Sequence, residues 1–308
     1  IASCLVGSEM CIRDRILYAP EMNLSDDFRR ADGVKGEVHS IFSSVINLLF
    51  MIEGERRIIT LIRQKIPLLP ECIRVPDAIF SMLEIQLKYG IIKLMDGVCI
   101  GDILLMLNFS LNVKLYLPEK IDGSSEEVLV SNIRRINALE YSVNKKADME
   151  SLPFRFGRSA GILAKGYLAE SQDIIIEAYQ ELVGAGHGLT PSCDDAMLGI
   201  MAGACTWFTI MDRVSGRDKF LKLSRQMLQD LIQQRQTTEI SCKYLKCACR
   251  GNFSVSLCEL MEWLACAGWE DSLPKKQILS IADTGHTSGM DTLYGLKIFL
   301  KEVIGCIG

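Results

Sequence analysis

The sequence predicts an α+β protein in which a β-rich, barrel-like or sandwich domain precedes a mainly α-helical domain. Up to about Lys120 the chain is built of short apolar runs that alternate or are rich in Val, Ile and Phe. From Ser124 onward, apolar residues instead recur three and four positions apart, the period of an amphipathic helix. Gly123-Ser124-Ser125 separates the two patterns, so we place the domain boundary between residues 123 and 124.

In the first half, a hairpin turn is predicted at Asp96-Gly97, within residues 90–101. A helix is predicted over residues 77–88, with Asp77 as its cap after a proline. The remaining apolar runs predict strands over residues 38–50, 57–64, 72–75 and 113–117.

In the second half, each helical segment extends for ten residues or more. The longest apolar run, residues 196–211, is shorter than the ~20 residues of a membrane span. Its Gly and Ala content favours a helix buried inside a bundle. The predicted helices begin near Ser125, Phe156, Ser171, Ser192, Arg217, Thr238, Ser254 and Leu273, and a last helix follows residues 285–291.

The first fifteen residues resemble a translated sequencing-adapter read-through and lack the continuous apolar core of a signal peptide. We therefore expect residues 1–15 to lie outside the biological protein. The predicted domains are then residues 16–123 and 124–308.

Composition narrows the class of protein. The net charge of −4 carries no electrostatic footprint for nucleic acid. Apolar residues make up 49% of the chain, which predicts a large core or a surface covered by partner proteins. The twelve cysteines include no Cys-x-x-Cys pair, so we interpret them as small buried residues in a reducing, cytoplasmic environment.

The most informative segment is a glycine-rich loop, residues 184–191, that leads directly into an apolar helix. Its glycines allow positive φ and close approach of backbone amides to a ligand. Ser192 and Asp195 have the spacing of a capping box. Because a structural cap does not need both Asp194 and Asp195, the loop is predicted to hold a polar ligand, with the helix N-terminus attracting an anion.

A second loop, residues 285–291, repeats this pattern before the last helix. Asp195 and Asp291 are each followed four residues later by a glycine, Gly199 and Gly295. Because glycine inside a helix costs about 1 kcal/mol relative to alanine, another backbone or a ligand is predicted to approach there. We therefore expect the two helix starts to face one another. Ordinary capping with buried histidines is the alternative interpretation.

A third polar cluster, residues 237–241, lies between two helices and carries three hydroxyl groups. Taken alone it predicts helix capping, although the same hydroxyls could donate to an anion. Asp194, Asp195 and Asp291 would repel one another unless protons or a cation such as Mg²⁺ intervened. Alternatively, one carboxylate accepts hydrogen bonds from an amide or carbamoyl group while backbone amides hold an anion. Both schemes favour a small anionic ligand, and no cofactor is certain.

The segment Gly186-His187-Gly188-Leu189-Thr190-Pro191-Ser192-Cys193-Asp194-Asp195 resembles the signature of a bacterial family, domain of unknown function twenty-eight seventy-seven. Residues 38–42, 237–241 and 285–291 resemble other segments of that family. The resemblance runs from about Gly36 to Leu300. His187 and Cys193 depart from the signature, where the family has Pro and Gly. Cys193 is therefore not expected to be an essential nucleophile.

The family includes the AllH-type subunit of oxamate carbamoyltransferase, which acts in purine and allantoin breakdown. The resemblance implies exchange of a carbamoyl group between oxalurate and phosphate, and a partner subunit similar to acyl-CoA synthetases. The candidate metal ligands, if a metal binds, are Asp194, Asp195 and Asp291. The candidate catalytic residues are Asp194, Asp195 and His286, and the candidate substrate-binding residues are Gly186, His187, Gly188, Thr190, Ser192, Thr237, Thr238, Ser241, Thr287, Ser288, Gly289, Asp291 and His39.

Two hypotheses follow. In the first, the chain is a subunit of a carbamoyltransferase-like complex whose polar loops form one ligand site, and it is catalytic only with its partners. In the second, it is a non-catalytic scaffold whose apolar face docks other proteins. Convergence of the loops would favour the first hypothesis.

Overall fold

The computed structural model describes residues 16–18, 20–88, 92–107, 111–113, 115, 117, 123–143, 154–211, 214–234 and 236–307. Within this part of the chain there are two compact units. The first comprises residues 16–65 and Cys72–Val113, and the second comprises Ile66–Glu71 and the residues from 114 onward. Residues 1–15, predicted to be extraneous, lie outside the described residues. The predicted boundary at residues 123–124 stays a prediction.

The first unit is a curled half-barrel, so the predicted β-rich, barrel-like domain is confirmed. Its elements are β1 (Ile16–Tyr18), β2 (Glu21–Asn23), α1 (Asp26–Arg30), β3 (Lys35–Ile41), β4 (Val45–Ile52), β5 (Glu55–Arg63), β6 (Cys72–Val75), α2 (Asp77–Gln86), β7 (Ile92–Met95), β8 (Gly97–Ile100), β9 (Ile103–Met106) and β10 (Leu111–Asn112). The described strands form one continuous sheet in the order β1-β9-β8-β7-β3-β4-β5-β6-β2-β10, which excludes the sandwich alternative. The sheet packs around Phe28, Phe50 and Phe80.

Two strand predictions need correction. The run 38–50 is not one strand, because the chain turns after β3 and returns antiparallel as β4, closed by a hydrogen bond from the Phe42 amide to the Val45 carbonyl. The described residues of 113–117 form no strand. Instead, the Phe253 amide donates to the Leu115 carbonyl, and the Leu117 amide donates to the Gly251 carbonyl. Gly251 and Phe253 lie in a loop between two helices of the second unit. The predicted hairpin at Asp96 is confirmed, since β7 and β8 pair on either side of it.

The second unit is helical, as predicted. The helix α6 (Ser192–Ile210) lies at its centre and is buried along almost its whole length, which confirms the predicted buried helix. No helix in the described part of the chain is both long enough and apolar enough to span a membrane. The helices are α3 (Glu126–Val143), α4 (Phe154–Leu168), α5 (Gln172–Leu182), α6 (Ser192–Ile210), α7 (Val214–Gln233), α8 (Glu239–Ala248), α9 (Val255–Cys266), α10 (Lys275–Ala282) and α11 (Ser288–Ile307).

The helices α6 and α11 run parallel in direct backbone contact. A Cβ built on Gly295 would lie 1.9 Å from the carbonyl oxygen of Ala196, and one built on Gly203 would lie 2.6 Å from the Phe299 ring. Both helices advance together from the first contact to the second, so their N-termini lie side by side. The two helix starts therefore face one another, as predicted. The close backbone of the neighbouring helix explains why positions 199 and 295 carry glycine.

We expect Gly199→Ala and Gly295→Ala to destabilise the protein by more than about 3 kcal/mol, because the added methyl group would force the two helices apart. At Gly199 the new Cβ would lie 2.0 Å from the Thr292 carbonyl oxygen. The matched control is Gly305→Ala, on the exposed side of α11, where nothing lies within 4 Å. That change is expected to stabilise the helix by up to about 1 kcal/mol. Urea unfolding measures the free energy of unfolding of all three variants. Equal changes in the three variants would contradict the close contact between α6 and α11.

Candidate functional site

Three polar segments of the second unit converge at the N-terminus of α6. The hydroxyl of Thr190, in the glycine-rich loop, lies 2.7 Å from the hydroxyl of Ser288, the first residue of α11. Thr238, the N-cap of α8, donates a hydrogen bond of 2.5 Å to the Leu189 carbonyl of the same loop. Its hydroxyl also accepts from the Ser241 amide, so its predicted capping role is confirmed.

The glycine-rich loop has the backbone geometry that its sequence predicts. Gly184, Gly186 and Gly188 all have positive φ. A Cβ on Gly184 would lie 1.6 Å from the Gln236 carbonyl oxygen, and one on Gly186 would lie 2.6 Å from the Ser192 amide nitrogen. The loop therefore folds tightly against both the chain before α8 and the start of α6, where side chains would not fit.

The predicted capping box at the start of α6 is wrong. Helix α6 begins at Ser192, its N-cap is Pro191, and no side chain caps it. The amide of Asp195 bonds to the Pro191 carbonyl at 3.2 Å, in the regular helical pattern. At the start of α11, Ser288 is likewise the first helical residue. The aspartate side chains are thus available for tertiary contacts, because neither serine is placed to form a reciprocal cap.

Both oxygens of the Asp194 carboxylate accept hydrogen bonds, and the residue is 1% exposed. Its Oδ1 accepts from the Gly184 amide at 2.8 Å. Its Oδ2 accepts from the hydroxyls of Ser241, at 2.5 Å, and Thr237. Burial raises the pKa of Asp194, and these three hydrogen bonds act in the opposite direction. Asp194 therefore fastens the glycine-rich loop to α8.

Asp195 is different, although it is the next residue and is only 4% exposed. Its Oδ2 is buried and has no hydrogen-bond partner among the residues that the structure describes. Burial raises the pKa of Asp195 to about 7, against hydrogen bonds from the hydroxyls of Thr190 and Ser288. The charges of Asp291 and Asp194 contribute to this raised pKa. Asp291 itself is 0% exposed. A buried carboxyl group with an unpartnered oxygen is costly, which is typical of functional sites.

Most of the other predicted site residues lie in the two loops and at the helix starts of the second unit, whereas His39 lies in the first unit. His187 and Gly188 are exposed in the glycine-rich loop, as are His286 and Thr287 in the second loop, and Ser192 is half-buried at the start of α6. Position 289 requires glycine for structural reasons, since a Cβ built there would lie 1.8 Å from the Ile281 carbonyl oxygen. His39 belongs to the first unit, on β3, where its Nδ1 lies 3.1 Å from the Ser40 hydroxyl. Its ligand-binding role stays a prediction.

A magnesium site formed by Asp194, Asp195 and Asp291 stays a prediction. Among the described residues, no three His, Cys, Asp or Glu side chains lie close enough together to hold a metal ion. Asp194 uses both oxygens on protein donors instead. Cys193 is fully buried in the helical core, where a thiol cannot reach a ligand in the loop. The ten cysteines of the described residues are reduced thiols, six of them buried, whereas Cys266 and Cys306 are exposed.

Sequence reasoning missed a polar network in the first unit. The Thr60 hydroxyl donates to Asn47 Oδ1 at 2.8 Å, and Asn47 Nδ2 donates to the Ser40 hydroxyl at 3.0 Å. Asn47 and Thr60 lie directly opposite each other on β4 and β5. The signal was present, because Asn47 is the single polar residue of β4 and Thr60 interrupts the apolar run 58–62 of β5. The network holds Ser40, and through it His39, in place.

With this geometry established, comparison with known families defines the class of protein. The profile described as oxamate carbamoyltransferase subunit AllH matches residues 182–300, which span the glycine-rich loop and the starts of α6, α8 and α11. The profile described as the AllH family N-terminal domain matches residues 19–111, the half-barrel. The chain belongs to the AllH family, as its sequence motifs predict. No solved structure matches it.

The two adjacent aspartates are expected to respond differently to amidation. Asp194→Asn replaces one acceptor oxygen by an amide NH2 group, which cannot accept the hydrogen bonds that Thr237 and Ser241 donate, so we expect it to destabilise the protein by about 2–4 kcal/mol. Asp195→Asn removes a buried charge and leaves the shape unchanged. The raised pKa means that the native state binds the Asp195 proton more tightly than the unfolded state does. Wild-type stability therefore falls as pH rises from about 4 to about 7.

An asparagine side chain does not titrate, so the gain of Asp195→Asn over wild type should be small at pH 4 and grow to a limit of about 4 kcal/mol above pH 7. Urea unfolding at pH 5 and pH 8 measures this difference, with the exposed Asp283→Asn as the matched control. A difference that stays constant with pH would contradict the raised pKa of Asp195.

Proposed function

We propose that this chain is a subunit of an oxamate carbamoyltransferase-type complex and binds a small carbamoyl-bearing anion at the paired N-termini of α6 and α11. The observation that carries the proposal is the buried, unpartnered Oδ2 of Asp195 at the point where the two helices begin. A purely structural cap would satisfy this oxygen, as the neighbouring Asp194 is satisfied. The family supports the assignment to a carbamoyltransferase subunit.

The anionic part of the ligand is proposed to lie against the two helix N-termini. Each N-terminus carries a partial positive charge of roughly half an elementary charge and several amides with no partner inside the helix. Parallel packing brings the two together, and the positive-φ glycines at positions 186 and 188 keep side chains away from the loop backbone. Carboxylate and phosphate groups are the anions that such amide clusters bind.

The carbamoyl end is proposed to meet the Thr190–Ser288 hydroxyl pair, because these half-buried groups can both donate and accept hydrogen bonds. The buried Asp195 carboxyl accepts hydrogen bonds from both hydroxyls and so fixes their positions. The exposed loop histidines, His187 and His286, are proposed to border the site, with His286 available for proton transfer. Asp194 is proposed to position the loop, because its oxygens are already engaged.

Partner proteins are part of this proposal, since the family is named for a subunit of an enzyme. One surface of the helical unit favours docking. Trp269 is 79% exposed and borders a cavity of about 570 Å³ with Val130 and Ile307. An acyl-CoA-synthetase-like subunit is the partner that we propose. The scaffold hypothesis, in which docking is the whole function, rests on the same surface.

Thermal unfolding of the full chain with carbamoyl phosphate, phosphate, oxamate or oxalurate, each with and without Mg²⁺, tests ligand binding. A ligand at about 100 times its Kd stabilises the native state by about 2.7 kcal/mol. We expect carbamoyl phosphate or oxalurate to raise the Tm of wild type and of the control Asp283→Asn. The rise should vanish in Asp195→Asn, compared with that variant's own ligand-free Tm. No rise in wild type with any of these compounds would favour the scaffold hypothesis.

A further inference from the structure

Helix α3 presents one face to the core of the second unit and another face to a groove. Leu129 and Ile133 are buried in the helical core, and Asn132 donates to the Leu264 carbonyl at 3.2 Å. The groove is the cavity of about 570 Å³ beside Trp269. Its wall on α3 consists of residues 126, 127, 130, 131, 134 and 135, and Trp269 and Ile307 lie on its other side. The groove therefore follows about two turns of α3.

Charges of opposite sign stand at the two ends of this wall. Glu126 and Glu127 lie in the first turn of α3, and Arg134 lies about two turns later. Val130 lies midway, four residues from Glu126 and four from Arg134, so these three share one stripe of the helix. At 1.5 Å per residue, the two ends are about 12 Å apart. The wall is thus acidic at one end, uncharged at its centre and basic at the other end.

The two arginines of the wall have different roles. Arg135 is engaged within the chain, because it donates to the Gly268 carbonyl at 2.9 Å and lies 5.9 Å from the centroid of the Trp269 ring. It thereby holds Trp269 in place, although that side chain is 79% exposed. Arg134 is exposed, and no ion pair in the described part of the chain involves it or the two glutamates. These charges are available to an occupant of the groove.

The charge pattern of the wall is complementary to a second copy of itself. A two-fold axis beside Val130 lays α3 of two copies antiparallel. The acidic end of each copy then meets the basic end of the other, because Glu126 and Arg134 are equally far from Val130. An unlike partner would need the same pattern at the same spacing, whereas a second copy always carries it. Exposed tryptophan and arginine are also residues that commonly anchor protein interfaces.

We propose that this groove is the interface of a two-fold dimer, in which α3 packs antiparallel against α3 of a second copy of the chain. The acyl-CoA-synthetase-like subunit then binds a dimer, through another surface. The interface is independent of the ligand site at the starts of α6 and α11. Its wall is a single helix face, and interfaces of small area are typically weak. The dimer is therefore reversible and forms as protein concentration rises.

Sedimentation equilibrium of the full chain, together with two charge reversals, tests this interface. Glu126→Arg places like charges at both ends of the dimer, and so does Arg134→Glu. Each variant alone should dimerise at least about tenfold more weakly than wild type, because both attractive contacts become repulsive. In an equal mixture of the two variants, every contact again joins opposite charges. We expect the mixture to form a one-to-one dimer with nearly wild-type affinity, a result that only antiparallel pairing of two copies produces.

The matched controls lie on α7, outside the groove. Asp218 and Lys222 are both exposed and also four residues apart. Neither Asp218→Arg nor Lys222→Glu should alter the association. Trp269→Ala should weaken the dimer with little change in Tm, because the side chain is largely exposed. This variant leaves the charges of α3 intact and so provides a second reading if a charge reversal impairs folding.

Three results would overturn the proposal. In the first, wild type stays monomeric up to its solubility limit, which would leave the groove to the unlike subunit. In the second, wild type dimerises but neither charge reversal weakens the dimer, which would place the interface elsewhere. In the third, the mixture of the two variants associates no better than each variant alone. Failure of carbamoyl phosphate or oxalurate to bind would bear only on the proposed function, because the dimer is measured without ligand.

Discussion

The backbone contact between α6 and α11 is the constraint on which the site depends. Helices that touch through glycines approach more closely than helices separated by side chains, and they hold one register because the adjoining carbonyls leave no room for sliding. Parallel packing then fixes what lies one turn earlier on each helix. Asp195 and the hydroxyls of Thr190 and Ser288 meet at the helix starts because, one turn later, Gly199 contacts α11 and Gly295 contacts α6.

The same constraint gives two neighbouring aspartates opposite roles. Successive residues of a helix point about 100° apart, so Asp194 and Asp195 face different elements. Asp194 faces the start of α8, where a backbone amide and two hydroxyls converge on it. Asp195 faces α11, where the other group is a second carboxyl. A carboxylate rich in donors holds structure, and one that is poor in donors and buried holds a proton.

The order of elements could be predicted because their signals are local. Periodicity and turn residues gave the helices of the second unit and the hairpin at Asp96, and the repeated Asp-x-x-x-Gly spacing indicated the contact of two helix starts. Long-range geometry could not be predicted. The segment near Leu115 has the alternating pattern of a strand, yet it bonds to a loop between helices. The partners of Asp194 come from residues 184, 237 and 241, and no spacing rule connects them.

The charges at the helix starts explain why an anion suits a site that already holds buried carboxyls. Two parallel N-termini supply roughly one positive charge between them. Protonation of Asp195, whose pKa is raised to about 7, reduces the negative charge of the buried carboxyls around neutral pH. An incoming anion adds negative charge and raises the proton affinity of Asp195, since like charges favour the protonated form. Anion binding and proton uptake are therefore coupled through Asp195, and the closer the helices pack, the stronger this coupling becomes.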